Sequence, residues 1–432
     1  MKDRVLLALL IIILWIFLIL IKVYLPEIPS TLFVLAFMIL YCLILAMAQM
    51  WIKIRSRKTP LNVDKPEYSP LVNIFIPAHN EELVLSATIE NLIKIDYPKY
   101  NILIINDRSK DNTAQIAKEL SEKYPEKVKY HTRPDDAFPG KSAVLNDAFN
   151  MTDGEVICVF DADAKVEPDF LSKMIPYLAD EEVKAVQARK VMLNKNTNIL
   201  TQCQHYEYCM DVNVQLGRDS LRAAVELRGN GQLIKRSAVE AVDKWNLNTV
   251  TDDLDMSTRL HVKNYIIRLC TDTCVKEEAV ESFKAIIRQR KRWAEGSIRR
   301  YLDYSDQIIF SKEVSRKLSL DMLAYFSEFV LPVWLISDFI LQVVYILAGG
   351  TPQILSNLLV LAAIGAFFIT LLFSSILKFE RCGILFAFIA SIKTAIFVII
   401  LWTIVVISVV FKIIFTKRSM KWYKPDRVAG NS

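Results

Sequence analysis

The sequence predicts an α/β domain with a mostly parallel, Rossmann-like sheet, flanked by transmembrane helices. Three observations predict it. Short apolar runs alternate with helical patterns mid-chain, both ends are long and apolar, and the fourth short run stops at two carboxylates, Asp161 and Asp163. Strands alternating with helices give a parallel sheet with right-handed crossovers.

Of the 432 residues, 53% are hydrophobic, and the mean hydropathy is +0.28. That is too apolar for an ordinary soluble protein. Val5–Ile21 and Thr31–Ile52 are each long enough to cross a bilayer, with Pro26 and Pro29 in the loop between them. A cleaved signal peptide fits poorly, because a second apolar segment follows at once and no small-residue cleavage site intervenes. Leu320–Leu347, Ile354–Leu377 and Ile384–Phe415 are apolar again. The expected organisation is two transmembrane helices in 1–58, one large α/β domain in 59–317, transmembrane or interfacial helices in 318–415 and a basic tail in 416–432.

Lys2 and Arg4 before the first span, with Lys53, Arg55, Arg57 and Lys58 after the second, mark the cytoplasmic side. The expectation is a multi-pass plasma-membrane protein whose central domain is cytoplasmic. The other end conflicts with three full spans, since Lys417, Arg418, Lys421, Lys424 and Arg427 favour a cytoplasmic tail. Either one segment is interfacial, or Ile384–Phe415 bends at Lys393. The net charge of +6 lies mostly near the membrane, so anionic lipid is the expected partner and nucleic acid is not. Seven cysteines without metal spacing suit a reducing compartment, and four scattered histidines suggest no zinc site.

Within the domain, strands are expected at Asn73–Pro77, Asn101–Asn106, Val128–His131 and Glu155–Phe160. Helices are expected at Glu81–Lys94, Asn112–Lys123 and Lys141–Phe149. The polar clusters after the first two strands then share a sheet edge with Asp161, where open α/β sheets bind ligands. In an extended chain Asp161 and Asp163 project to one side, a two-pronged oxygen site for a hard divalent cation. Alone, such a pair more often caps a turn. Asp111 reads better as a turn residue; Asp107, at a strand tip, stays open between turn and binding. Gly140-Lys141-Ser142 imitates a phosphate loop, but Asp135 stands where that loop needs glycine. No Gly-x-Gly-x-x-Gly follows the first strand either, which argues against a dinucleotide dehydrogenase. Lys141 is a point charge for phosphate or a solvated helix start.

Thr251-Asp252-Asp253-Leu254-Asp255 opens a helix through Leu260, with Thr251 able to cap it. Acids in a first turn favour the helix dipole, whereas a carboxylate facing an acceptor hydroxyl can take its proton. In Arg288-Gln289-Arg290-Lys291-Arg292-Trp293, a helix would put Gln289, Arg292 and Trp293 on one face. Arginine can clamp a diphosphate and an indole can stack on a sugar ring; a basic helix lying on lipid is the other reading.

In order, Pro77-Ala78-His79-Asn80-Glu81, Asp107, Gly140-Lys141, Asp161-Ala162-Asp163, Gly229-Asn230-Gly231, Thr251-Asp252-Asp253 and Gln289 through Trp293 resemble glycosyltransferase family 2. The resemblance is strongest to its membrane-embedded processive synthases of hyaluronan, chitin and poly-N-acetylglucosamine. It implies the nucleotide-sugar-binding GT-A fold and an inverting hexosyl or N-acetylhexosaminyl transferase. Ala78, Glu81 and Asp107 would contact the nucleoside of a UDP-sugar donor, and Lys141 its diphosphate or sugar. Asp161 would lie near the donor, and Asp163 beside it would ligate Mg²⁺ or Mn²⁺. Asp253 would be the general base, while Gln289, Arg292 and Trp293 would frame the diphosphate and the acceptor entrance. The implied activity is elongation of a β-linked polysaccharide from UDP-N-acetylglucosamine, with passage of the chain through the C-terminal helices. Single transfer to a lipid or polyprenyl phosphate, or a non-catalytic scaffold, are the alternatives. The family's Thr-Glu-Asp is Thr251-Asp252-Asp253 here, which leaves Asp252 without an assigned role.

Overall fold

The computed structural model describes residues 2–58, 68–350 and 354–418. Among them, the strands are β1 Val72–Ala78, β2 Tyr100–Asn106, β3 Val128–Thr132, β4 Val156–Val159, β5 Lys165–Val166, β6 Val183–Met192, β7 Gln232–Lys235 and β8 Ile266–Glu277. The helices around the sheet are α1 Lys2–Tyr24, α2 Thr31–Lys58, α3 Leu85–Leu92, α4 Thr113–Lys123, α5 Lys141–Asn150, α6 Phe170–Met174 and α7 Ile199–Ser220. They continue with α8 Arg236–Ala241, α9 Asp252–Val262, α10 Phe283–Asp303, α11 Ser305–Phe310, α12 Arg316–Leu347, α13 Ile354–Phe379 and α14 Ile384–Phe415.

One sheet runs in the order β3-β2-β1-β4-β7-β6-β8-β5. The pairs among β1 to β4 are parallel, as expected. β7 lies antiparallel between β4 and β6. The central strands are apolar on both faces because both are covered. Leu85 and Ile89 of α3 pack on one side with Ile74 and Ile76; Leu145 of α5 and Met256 of α9 pack on the other with Phe75.

Two local expectations need correction. β4 stops at Val159, and Asp161 begins a turn closed by the Ala164 N–H donating to the Asp161 carbonyl at 3.1 Å. The Asp161 N–H is taken by the Asn230 side chain at 3.2 Å rather than by a neighbouring strand. Asp161 and Asp163 are thus brought together by a turn, not by strand alternation. Similarly, the helix expected from Glu81 starts at Leu85. Asn80 is left-handed at φ 55, and the Glu81 and Glu82 N–H groups donate to Thr113 at 2.7 Å and Asp111 at 3.2 Å.

α1, α2, α12, α13 and α14 are long and apolar enough to cross a membrane. α14 nevertheless touches the α/β domain along its length and runs unbroken through Lys393. Ala387 and Ala390 pack on Tyr206 and Cys209 of α7, and Lys393 Nζ reaches Gln202. Trp402 Nε1 donates to Glu207 at 2.8 Å, Lys412 meets Glu295 at 2.7 Å, and Arg418 meets Asp303 at 2.9 Å. Its outer face leaves Ile389, Ile396, Ile400 and Ile404 exposed. The start of α1 joins the end of α14, with Arg4 Nε donating to the Ile414 carbonyl at 2.8 Å. At the opposite end of α1, Ser30 donates to Asp338 of α12 at 2.6 Å.

Candidate active site

β1 and β2 end side by side, so their following loops meet at one sheet edge, where the Asp107 N–H donates to the Ala78 carbonyl at 2.8 Å. The Asp107 carboxylate accepts from Arg133 at 2.7 Å and from Arg108 at 2.9 Å. Burial opposes its charge, but these hydrogen bonds and guanidinium charges outweigh burial and hold the carboxyl below its ordinary value. Asp111 is a turn residue, accepting the Thr113 N–H at 3.0 Å and the Thr113 hydroxyl at 2.6 Å.

A cavity of about 530 Å³ extends from this edge. Its lining includes every candidate named from the sequence: Ala78, Glu81, Asp107, Lys141, Asp161, Asp163, Asp253, Gln289, Arg292 and Trp293. Asp253 therefore faces the cleft that holds Asp161 and Asp163. Two carboxylates in one turn offer oxygen-only donors, a set that fits a hard divalent cation.

Lys141 opens α5, and its Nζ lies 2.6 Å from Asp161. Burial disfavours the ammonium, but Asp161, Asp252 and Asp253 together overcome burial and keep it charged. The loop before β7 carries the next constraint. Gly229 has φ +79, and a Cβ there would sit 3.0 Å from Asp253 Oδ2. The left-handed backbone at Gly229 favours glycine, and a Cβ there would crowd the Asp253 carboxylate.

α9 begins at Asp252, but the expected Thr251 cap is not made. The Thr251 hydroxyl is buried without a hydrogen-bond partner among the described residues, and Asp253 Oδ1 instead accepts the Leu254 N–H at 2.9 Å. The reason is packing: the Thr251 side chain fills the space a Cβ would occupy at Gly296 of α10. That close approach sets Gln289, Arg292 and Trp293, one to two turns earlier on α10, against the same cavity. Burial pushes the Asp252 carboxyl up to about 6; Lys141 opposes this, while Asp253 and Asp161 add to it. Arg290, between these residues in sequence, turns away and is buried against Glu207 at 2.6 Å.

The cavity has a second wall that sequence reasoning missed, made by Asp211 of α7, Arg228, Tyr325, Glu328 and Phe329 of α12, and Trp402 of α14. For Glu328 a signal existed, since an acidic residue inside an apolar membrane run is costly and marks function. For Asp211 there was none, because α7 buries Gln204, His205, Glu207, Gln215 and Arg218, which hides its apolar period.

A family model described as glycosyltransferase like family 2 matches residues 69–296. The chain is 41% identical over 278 residues to a beta-monoglucosyldiacylglycerol synthase of Trichormus variabilis, covering 64% of this chain and 59% of that protein. It is 32% identical over 266 residues to the probable glycosyltransferase YdaM of Bacillus subtilis, covering 61% and 63%. It thus spans about three fifths of the length of these curated relatives. Its fold is similar to that of the mannosyltransferase PcManGT from Pyrobaculum calidifontis, solved with GDP-Man and Mn²⁺. The TM-score is 0.57 at 20% identity, over 80% of this chain and 99% of that one. Since the family model covers more than half of the chain and the sheet has the GT-A arrangement, the protein belongs to glycosyltransferase family 2.

Proposed function

We propose that this enzyme transfers a single glucosyl unit from UDP-glucose to a hydroxyl of a membrane lipid, inverting the anomeric carbon. The observation that carries the reading is the one cavity joining the sheet-edge carboxylates to side chains of α12 and α14. Relatives named for a glucosyl-diacylglycerol product support it. They move the weight away from polymer elongation and from N-acetylglucosamine, the expectations drawn from the narrower resemblance to processive synthases.

In this reading Ala78, Glu81 and Asp107 receive the nucleoside, and Gln289 helps frame the diphosphate. Asp253 takes the proton of the acceptor hydroxyl as its oxygen bonds to the anomeric carbon and the bond to UDP breaks. Lys141 and Arg292 balance the charge that builds on the departing diphosphate. Among the described residues Arg292 has no ion pair to give up first. Mg²⁺ or Mn²⁺ held by Asp163 and Asp161 would supply further charge neutralisation when bound. Trp293 stacks on the acceptor side. α1, α2, α12 and α13 cross the plasma membrane, α14 lies in its cytoplasmic leaflet, and the domain and tail are cytoplasmic. A 32-residue helix is about 48 Å long, and its contacts with α7 and α10 near its two ends support a placement along the membrane surface.

Incubating the purified protein with UDP-glucose and diacylglycerol, then weighing the lipid product, tests the reading. Monoglucosyl lipid is expected. A sugar polymer, or UDP release without any lipid product, would overturn it.

A further inference from the structure

The first turn of α1, the end of α10 and the end of α14 converge on a second cavity, which shares no lining residue with the first. It measures about 370 Å³ and is lined by Lys2, Asp3, Arg4, Asp303, Lys417 and Arg418. Both carboxylates are already matched. Arg299 Nη1 donates to Asp3, and Arg418 Nη1 donates to Asp303 at 2.9 Å. Lys2 reaches Asp306 of α11 at 3.7 Å, with both side chains largely exposed. Arg4 and Lys417 are left over. Arg4 donates from Nε to the Ile414 carbonyl, a neutral partner, at 2.8 Å. Among the described residues neither Arg4 nor Lys417 makes an ion pair. Two positive charges thus stand uncompensated around a hollow where α1 begins, and a helix N-terminus itself favours an anion.

The surroundings say which anion. On α1, Arg4 is followed by exposed Val5, with exposed Leu9 one turn on. On α14, Phe411 and Phe415 are exposed just before Lys417, their rings stacked at 6.0 Å. A cationic hollow bordered by bare apolar side chains on two helices suits a molecule with a phosphate at one end and acyl chains at the other. With α14 along the cytoplasmic leaflet, the cavity lies at the depth of the lipid headgroups, where anionic lipids attract basic residues. A free phosphate would use the cations and leave the apolar border uncovered.

We propose that this cavity binds the headgroup of one anionic phospholipid through Arg4 and Lys417, and that the bound lipid ties α14 to α1 and α10. This rests on the proposed placement of α14 along the leaflet. Binding is therefore read in micelles, which have no sides, while the placement is read separately by the side from which residue 416 can be labelled. Full-length wild type, Lys417→Gln, Arg4→Gln/Lys417→Gln and Arg55→Gln are titrated with phosphatidylglycerol in neutral detergent containing phosphatidylcholine. Bound lipid per protein and melting temperature are measured. Arg55 is exposed near the end of α2, which meets α13 through Lys378 and Gln49 at 2.5 Å, beside the other end of α14. It controls for diffuse attraction. Wild type is expected to bind one phosphatidylglycerol in preference to phosphatidylcholine and to melt at a higher temperature with it. K417Q is expected to bind about fivefold more weakly, the scale of one basic residue at an anionic lipid surface. The double variant is expected to lose about 25-fold on the same scale, and R55Q to stay within about twofold, beyond the screening length. Lys417 has no partner to lose, so K417Q is expected to melt as wild type without the lipid. Equal binding of the two lipids, an unchanged affinity in the double variant, or equal weakening by R55Q would overturn the site. Inorganic phosphate competing at the same concentration as the lipid would overturn the lipid assignment. Selective binding together with labelling of residue 416 from outside would overturn the placement instead, so the two failures are distinguishable.

Discussion

Asp253 owes its place to the absence of a side chain at Gly229 and to its own hydrogen bond with the Leu254 N–H. As proposed base it acts on the acceptor alone. Asp253→Asn is therefore expected to lower transfer by about 10²–10⁴-fold while UDP affinity, read by calorimetry, stays within about twofold. Loss of UDP binding would contradict that role. Glu226 makes a different prediction. Burial disfavours its charge, but Arg300, Arg228 and Arg218 dominate and hold its carboxyl at about 2. A carboxyl depressed on folding stabilises above its unfolded value, near 4.5, and that stability drains away as pH falls toward 2. Melting temperature should drop across this window, and Glu226→Gln should flatten the slope while lowering Tm at neutral pH. At this scale the sequence was informative about residue types near the cleft. It could not foretell that Thr251 would leave its cap unmade, because that depends on α10 arriving from 45 residues downstream.

Among elements, α10 is the hinge of the site. Its Gly296 lets it close on Thr251, and its buried Ile286, Ala294 and Ile298 pack with Leu401 and Val405 of α14. Gly296→Val is expected to cost about 1–3 kcal/mol by overpacking and to reduce transfer together with Tm in thermal melts; unchanged values would show that the approach is not tight. The parallel strands and their helices were legible because each carries a plain period and buries one type of surface. α7 was not, since its inward face is largely polar. The ambiguity of α14 has a related cause: hydropathy reports that a helix prefers lipid, not whether it lies along or through it.

For the whole molecule, contacts at both ends of α14 collect the first turn of α1, the α/β domain and Arg418 on one face. Residues 419–432 of the basic tail lie outside the described residues, and the proposed placement of α14 along the membrane predicts the side on which the tail begins. A Thr416→Cys variant should react with a membrane-impermeant maleimide, above the wild-type background, in inverted vesicles and not in intact cells. Labelling from outside would mean that α14 crosses.

Laid flat, α14 occupies roughly 500 Å² of a single monolayer, from its length and a helix diameter near 10 Å. In the placement proposed above, each copy would widen one leaflet without widening the other. Cells packed with this protein should accumulate bilayer that bends toward the swollen side, independent of turnover.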